Sequence, residues 1–296
     1  MLIAVTLVAA EPANIWDLAG QLTAGLANPS WVFAQVTALG PAALDLIVEA
    51  ENVAGLRQAV DATLVDAAVD YCIQPAEGRR KRLLIADMDS TIIGCECLDE
   101  LADFAGVKAQ VSAITERAMR GEIGFEGALR ERVAMLKGLP LEALQTCFDE
   151  RVRLNPGARV LLSTMAGHGA RCLLVSGGFE FFTERVAALA GFHAQRANRL
   201  IEADGVLTGA VGEPILGREA KLEALRRETE ALELDPAQTL AVGDGANDLD
   251  MIRAAGLGVA YRAKPIVAAQ AHARIDHTDL TSLLYFQGYP AAAFSS

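Results

Sequence analysis

Leu83-Leu84-Ile85-Ala86-Asp87-Met88-Asp89-Ser90-Thr91 decides the fold. Four apolar residues read as a short buried strand, and two aspartates two positions apart follow at once. The same pattern returns twice. Arg171–Val175 runs into Ser176-Gly177-Gly178, and Thr239–Val242 runs into Gly243-Asp244-Gly245-Ala246-Asn247-Asp248. Gly256–Ala260 reads as a further strand. Helical stretches lie between these strands. Glu219–Leu232 is a charged helix, and Asn155-Pro156-Gly157 opens another, with Asn155 as N-cap and Pro156 at the first helical position. Arg199–Ile201 and Val206–Thr208 flank Asp204-Gly205, a hairpin signal. Apolar strands separated by helices specify a parallel, doubly wound, Rossmann-like α/β sheet. Residues 98–153 carry several helical segments and little strand signal, so a helical cap is expected after the first strand, at about 96–154.

Upstream the rhythm differs. Leu2–Ala9, Trp31–Thr37, Leu44–Ala50 and Ala68–Ile73 read as strands, and Asn14–Leu26 and Val53–Val65 as helices. The order β-α-β-β-α-β is that of a small ferredoxin-like α+β domain. Charge marks the boundary. Residues 1–78 hold nine acids and one base, Arg57, a net of −8, and the run Arg79-Arg80-Lys81-Arg82 follows. The remaining 29 acids and 25 bases leave residues 79–296 at only −4. Two domains are therefore expected, 1–78 and 79–296.

Composition excludes several classes. A net charge of −12 and a pI near 4.9 argue against broad basic surfaces for nucleic acid. Mean hydropathy is high, at +0.27, but the longest uncharged stretch, 18–44, is broken by Asn28, Pro29, Ser30, Gln35, Gly40 and Pro41. It cannot supply a membrane helix of about 20 apolar residues. No positively charged leader precedes the first charged side chain, Glu11. The odd cysteine count, five, fits reduced thiols in the cytoplasm. Cys95-Glu96-Cys97 has no second Cys pair or nearby His, which argues against zinc.

In a doubly wound sheet ligands bind beyond the carboxyl ends of the strands. Three strands here end in polar motifs that can converge there. Asp87, Asp89, Asp244 and Asp248 would repel one another in one pocket, so a cation is expected, and all-oxygen donors favour Mg²⁺. Mg²⁺ is usually held by one or two carboxylates together with a substrate phosphate, which implies a phosphorylated substrate. Ser176 with the amides of Gly177 and Gly178 suits phosphate oxygens, and Lys221 adds a positive charge. Singly, each motif is ordinary: an Asp-x-Asp is usually a turn, and a lone lysine usually sits on the surface. Their order, three of them each after a strand, outweighs that reading.

Asp87-Met88-Asp89-Ser90-Thr91, Val175-Ser176-Gly177-Gly178-Phe179, Lys221 and Val242-Gly243-Asp244-Gly245-Ala246-Asn247-Asp248 resemble, in this order, the four motifs of the haloacid dehalogenase superfamily. The resemblance covers about residues 83–283. It continues in Glu96, Leu98-Asp99-Glu100, Leu129-Arg130-Glu131-Arg132-Val133 and Ala197-Asn198-Arg199-Leu200, which are similar to the branch acting on phosphoserine. It implies hydrolysis of O-phospho-L-serine to serine and phosphate, with Asp87 as nucleophile and Asp89 as general acid and base. By the same resemblance the Asp87 side chain, the Asp89 backbone carbonyl and Asp244 would hold Mg²⁺, with Asp248 in or near the surrounding shell. Ser176, Gly177, Lys221 and Asn247 would hold the phosphoryl oxygens. Glu96 would meet the substrate ammonium, Arg132 its carboxylate, and Met119 and Phe125 would form an apolar wall. Transfer of the phosphoryl group to an alcohol such as homoserine, or hydrolysis of another small phosphomonoester, would use the same site. Residues 1–78 resemble ACT-like domains, which often bind amino acids or pair into homodimers. With no ligand-binding residues legible there, packing or dimerisation is expected rather than serine sensing.

Overall fold

The computed structural model describes residues 1–12, 15–25, 30–120 and 122–295. Strands β1 (Leu2–Ala9), β2 (Trp31–Gly40), β3 (Ala43–Ala50) and β4 (Val69–Pro75) form an antiparallel sheet in the order β2-β3-β1-β4. The helices Ile15–Gly25 and Val53–Thr63 supply its apolar cover through Ile15, Leu22, Leu56 and Val60. The expected first helix is present within the described residues, and its expected ends at Asn14 and Leu26 lie outside them.

The second sheet is parallel and has six strands. These are β5 (Leu83–Ala86), β6 (Arg171–Phe179), β7 (Ala194–Asn198), β10 (Thr239–Gly243), β11 (Leu257–Tyr261) and β12 (Ala273–Ile275). Their order is β12-β11-β10-β5-β6-β7. The chain builds outward from β5 on one side through β6 and β7, then returns to build β10, β11 and β12 on the other. This reversal places the carboxyl ends of β10, β5 and β6 side by side, the position where doubly wound sheets leave a crevice. All four residues of β5 are fully buried, as a central strand covered on both faces requires.

Two pieces cover that crevice. Helices Cys97–Phe104, Lys108–Met119, Phe125–Ala134 and Leu141–Arg151 follow β5. The hairpin β8 (Leu200–Ala203) and β9 (Val206–Val211) packs on them, with Gly138 N–H donating to Leu207 O and Leu207 N–H to Leu139 O. The hairpin was expected, but its membership of the lid was not.

One local expectation is corrected. The helix after 155 begins at Ala158, with Gly157 at φ +81° as its N-cap. Asn155 does not cap it; its amide donates to Thr91 O at 2.8 Å. A Cβ at Gly157 would sit 2.6 Å from the Thr281 nitrogen, so only glycine fits this left-handed turn.

The two sheets meet through the last part of the chain. Leu283, Leu284, Phe286 and Tyr289 are buried together with Val8, Leu39, Ala43 and Cys72 of the antiparallel sheet. Arg79 grips Asp45 with two bonds, of 3.0 and 2.7 Å. Asp70 on β4 reaches across and accepts from the amides of Asp276, His277 and Thr278 and from the Thr278 hydroxyl. Replacing Asp70 with alanine would strand those donors. At about 1–3 kcal/mol per unpaired buried group, partly relieved by water, Asp70→Ala is expected to cost about 2–4 kcal/mol. A lower urea midpoint at unchanged slope checks this; an unchanged midpoint would mean the contact adds nothing.

Candidate active site

The site starts where β5 stops. Asp87 takes extended backbone angles, and its Oδ1 accepts from Met88 N–H at 2.8 Å. The chain then bends sharply at Ser90, which is held at φ +55°. An L-residue in that region costs about 1–2 kcal/mol. The bend turns the Ser90 hydroxyl onto Glu96 Oε1 at 2.6 Å and its N–H onto Cys95 O at 3.3 Å. It also brings Cys97 N–H, at the start of a helix, to 3.4 Å from Asp89 Oδ1. The strained turn therefore gathers Asp87, Asp89 and Glu96 within one short segment.

Beside it, β10 delivers Asp244 and Asp248. Asp248 is fully buried; its Oδ2 accepts from Gly245 N–H at 2.9 Å, and its Oδ1 meets Lys221 Nζ at 2.6 Å. The same ammonium lies 2.7 Å from Asp87 Oδ1. A side chain at Gly243 would collide with the Asp248 carboxylate, so β10 must end in glycine there. Asp244 accepts from the Thr91 hydroxyl at 3.3 Å. One carboxylate oxygen each from Asp87, Asp244 and Asp248 lie within 4.8 Å of one another. The donors are all hard oxygens, which suit a small divalent cation and not zinc.

Crowded, desolvated carboxylates resist ionisation. Burial, then the Asp248 charge, raise the Asp87 pKa well above the ordinary value against the pull of Lys221. Burial and the Glu96 charge push Asp89 up to about 7. Burial and Asp248 push Asp244 up to about 6. Burial alone would lower the Lys221 pKa, but Asp248 and Asp87 outweigh it and hold the ammonium charged.

A cavity of about 150 Å³ opens above these groups. Its floor is Asp87, Asp89, Asp244, Gly245 and Asn247, with Ser176, Gly177 and Gly178 along one side. The Ser176 hydroxyl accepts from Gly178 N–H at 2.9 Å. The lid contributes Glu96, Leu98, Phe125, Leu129 and Arg132. Phe125 reaches down so far that a Cβ on Gly177 would lie 3.3 Å from its ring. The Arg132 Nε donates to Ala128 O at 3.3 Å, and among the described residues its guanidinium makes no ion pair. Burial lowers its pKa, and Asp99 and Glu96 oppose this from a distance.

Of the residues singled out in the sequence, Lys221 lies behind the floor, engaged by two carboxylates, and does not line the cavity. The side chain of Met119 lies outside the described residues. Sequence reasoning missed Lys264, which lines the cavity and whose N–H donates to Asp244 O at 3.2 Å. The signal was present: Arg262-Ala263-Lys264 is the polar tail of β11, a fourth strand end.

Comparison with known proteins follows the same outline. The model of the haloacid dehalogenase-like hydrolases matches residues 84–253. A phosphoserine phosphatase of Polaromonas sp. (strain JS666) is 48% identical over 208 residues, covering 69% of this chain and 88% of that relative. Phosphoserine phosphatase SerB2 of Mycobacterium tuberculosis is 44% identical over 225 residues, 76% of this chain, and the chain spans about half, 54%, of its length. The unliganded structure of a probable phosphoserine phosphatase from Vibrio cholerae superposes with a TM-score of 0.80 at 30% identity. It covers 98% of this chain and 88% of that one, so the likeness includes both sheets.

The raised carboxylates set the sign of a pH effect. A folded pKa above the unfolded one means that the folded, metal-free protein holds more protons, so these groups cost stability as pH rises from about 4 through 7. A divalent cation replaces those protons. Mg²⁺ is therefore expected to raise the melting temperature more at pH 8 than at pH 6; equal shifts would argue against the carboxylates as its ligands.

Proposed function

The chain belongs to the haloacid dehalogenase-like hydrolases, and from that premise we propose that it is a Mg²⁺-dependent phosphoserine phosphatase. One observation carries the substrate: Glu96 shares a cavity with Asp87 and with Arg132, which makes no ion pair among the described residues. A phosphomonoester bearing an ammonium and a carboxylate meets both charges. A half-buried guanidinium with no carboxylate partner among the described residues is well prepared for a bidentate carboxylate. Phe125 and Leu129 close the apolar side around the short methylene.

The reaction is a double displacement at phosphorus. The Asp87 carboxylate attacks, the bond from phosphorus to the seryl oxygen breaks, and Asp89 delivers its proton to that oxygen. A carboxyl group protonated near neutral pH suits this role. Asp89 then takes a proton from water as the water oxygen attacks phosphorus and Asp87 is released. Ser176, the amide of Gly177 and Asn247 receive the equatorial oxygens, where charge must be matched during transfer. Lys221 positions the attacking carboxylate by holding its other side against Asp248. Asp87, Asp244 and the Asp89 carbonyl would hold Mg²⁺, which when bound would supply positive charge to offset the anionic phosphoryl group. Lys264 adds an ammonium on the open wall of the cavity.

The antiparallel sheet acts as an ACT-like packing or dimerisation module, a reading supported by its uncharged edge strand β2. The five unpaired thiols support a cytoplasmic setting.

Phosphate release from phosphoserine is expected to exceed that from sugar phosphates by at least about 100-fold, since the unmatched charges of Glu96 and Arg132 each cost a poor substrate. Equal rates would sink the substrate assignment, and activity retained in Asp87→Asn would remove Asp87 as nucleophile. Lys264→Met is expected to raise KM for phosphoserine by about 3- to 10-fold with little change in kcat, the loss of one partly solvated charge contact. An unchanged KM would exclude Lys264 from substrate binding.

A further inference from the structure

Asn198 ends β7 and is buried, at 2% exposure. Its side-chain amide is fully used. Nδ2 donates to Gly177 O at 2.9 Å and to Leu216 O at 3.2 Å, and Oδ1 accepts from Leu216 N–H at 2.7 Å. No other side chain of this length offers two donors and an acceptor together without a charge. The two segments it joins have different tasks. Gly177 belongs to the Ser176–Gly178 wall of the cavity. Leu216 leads into Gly217 and the helix Arg218–Ala231, whose first turn carries Lys221 to Asp87. Phe125 of the lid lies across both: a Cβ on Gly177 would be 3.3 Å from its Cζ, and one on Gly217 would be 3.4 Å from its Cδ1.

We propose that Asn198 is a positioning residue that fixes the Ser176–Gly178 loop, the Lys221 helix and the seat of Phe125 in one register, and so governs the chemical step rather than substrate capture. The inference rests on the phosphatase reading above. Asn198 touches no reacting atom; it acts through the peptide of Gly177 and the backbone of Leu216. The phosphoryl group must sit between Ser176 and Asp87, and Asp87 is itself held by Lys221. A shift between loop and helix therefore changes the attack distance directly. The ammonium and carboxylate of the substrate are met elsewhere, by Glu96 and Arg132 on the lid, so KM changes less than kcat.

The test uses the full chain with saturating Mg²⁺, phosphoserine as substrate, and thermal melting of each variant. Asn198→Asp keeps the shape and the bond from Leu216 N–H but sets an anion against two carbonyl oxygens; Asn198→Ala removes all three bonds. Both are expected to lose about 100-fold in kcat, the scale of a misplacement near 1 Å, with KM within about 3-fold. Asn198→Asp is expected to recover relative to the parent as pH falls, because a protonated carboxyl regains one donor. Combined with Phe125→Ala it is expected to lose less than the product of the single effects. A kcat within about 3-fold of the parent, a rise in KM alone, or loss only in proportion to unfolded protein would overturn the inference, as would failure of both variants to fold. A parent inactive on phosphoserine would defeat the substrate assignment instead, and the variants would then be read on p-nitrophenyl phosphate.

Discussion

Lys221 answers two carboxylates at once. Asp87 and Asp248 approach its ammonium to 2.7 and 2.6 Å inside the protein, and Asp244 stands within 4.8 Å of both. At about 4 kcal/mol per pair of unit charges 4 Å apart in a medium of intermediate dielectric, the three anions would drive the strand ends apart without a cation. One lysine leaves the cluster short of neutrality, and burial together with the Asp248 charge raises the pKa of both Asp87 and Asp244. A divalent cation held there would bring the cluster to neutrality and so let an anionic phosphate approach. Stability, metal affinity and reactivity are one electrostatic problem here.

The sheet order makes that cluster possible. Only β10 and β6 flank β5, and they carry Asp244 and Ser176 to either side of Asp87. Glycine at 243 and 245 lets the chain fold back so that Asp248 reaches Lys221 behind the floor. The Ser90 turn, at φ +55°, bears backbone strain in the segment that joins Asp87 and Asp89 to Glu96. Its hydroxyl binds Glu96, so the strained turn also sets where the lid begins.

Much of this was legible before any coordinates. An apolar run ending in Asp87-Met88-Asp89 can be read because a buried strand and its polar exit differ sharply in composition. The parallel sheet and the small antiparallel sheet followed from two rhythms of apolar residues. What was not legible depended on contacts between distant segments. β12 has three residues, too few for a pattern, and exists because β11 offers it an edge. Asn155 looked like a helix cap until Thr91 took its amide. Asn198 stood in a stretch noticed only for likeness, because its partners, 177 and 216, lie far off in sequence. Lys264 was overlooked because β11 ends in charges that resemble an ordinary surface turn.

The distribution of charge adds a final constraint. A chain of net charge −12 must attract a substrate that is itself an anion. The protein keeps most of its excess acid in residues 1–78 and packs their antiparallel sheet against residues of the uncharged segment 280–295, with Asp70 and the Arg79–Asp45 pair as charged contacts. None of the described residues among 1–78 lines the cavity. Its walls hold Arg132 on the lid and Lys264 on the core, with Lys221 beneath. Cations drawn from both the lid and the core thus offset the acidic excess at the cavity an anion has to enter.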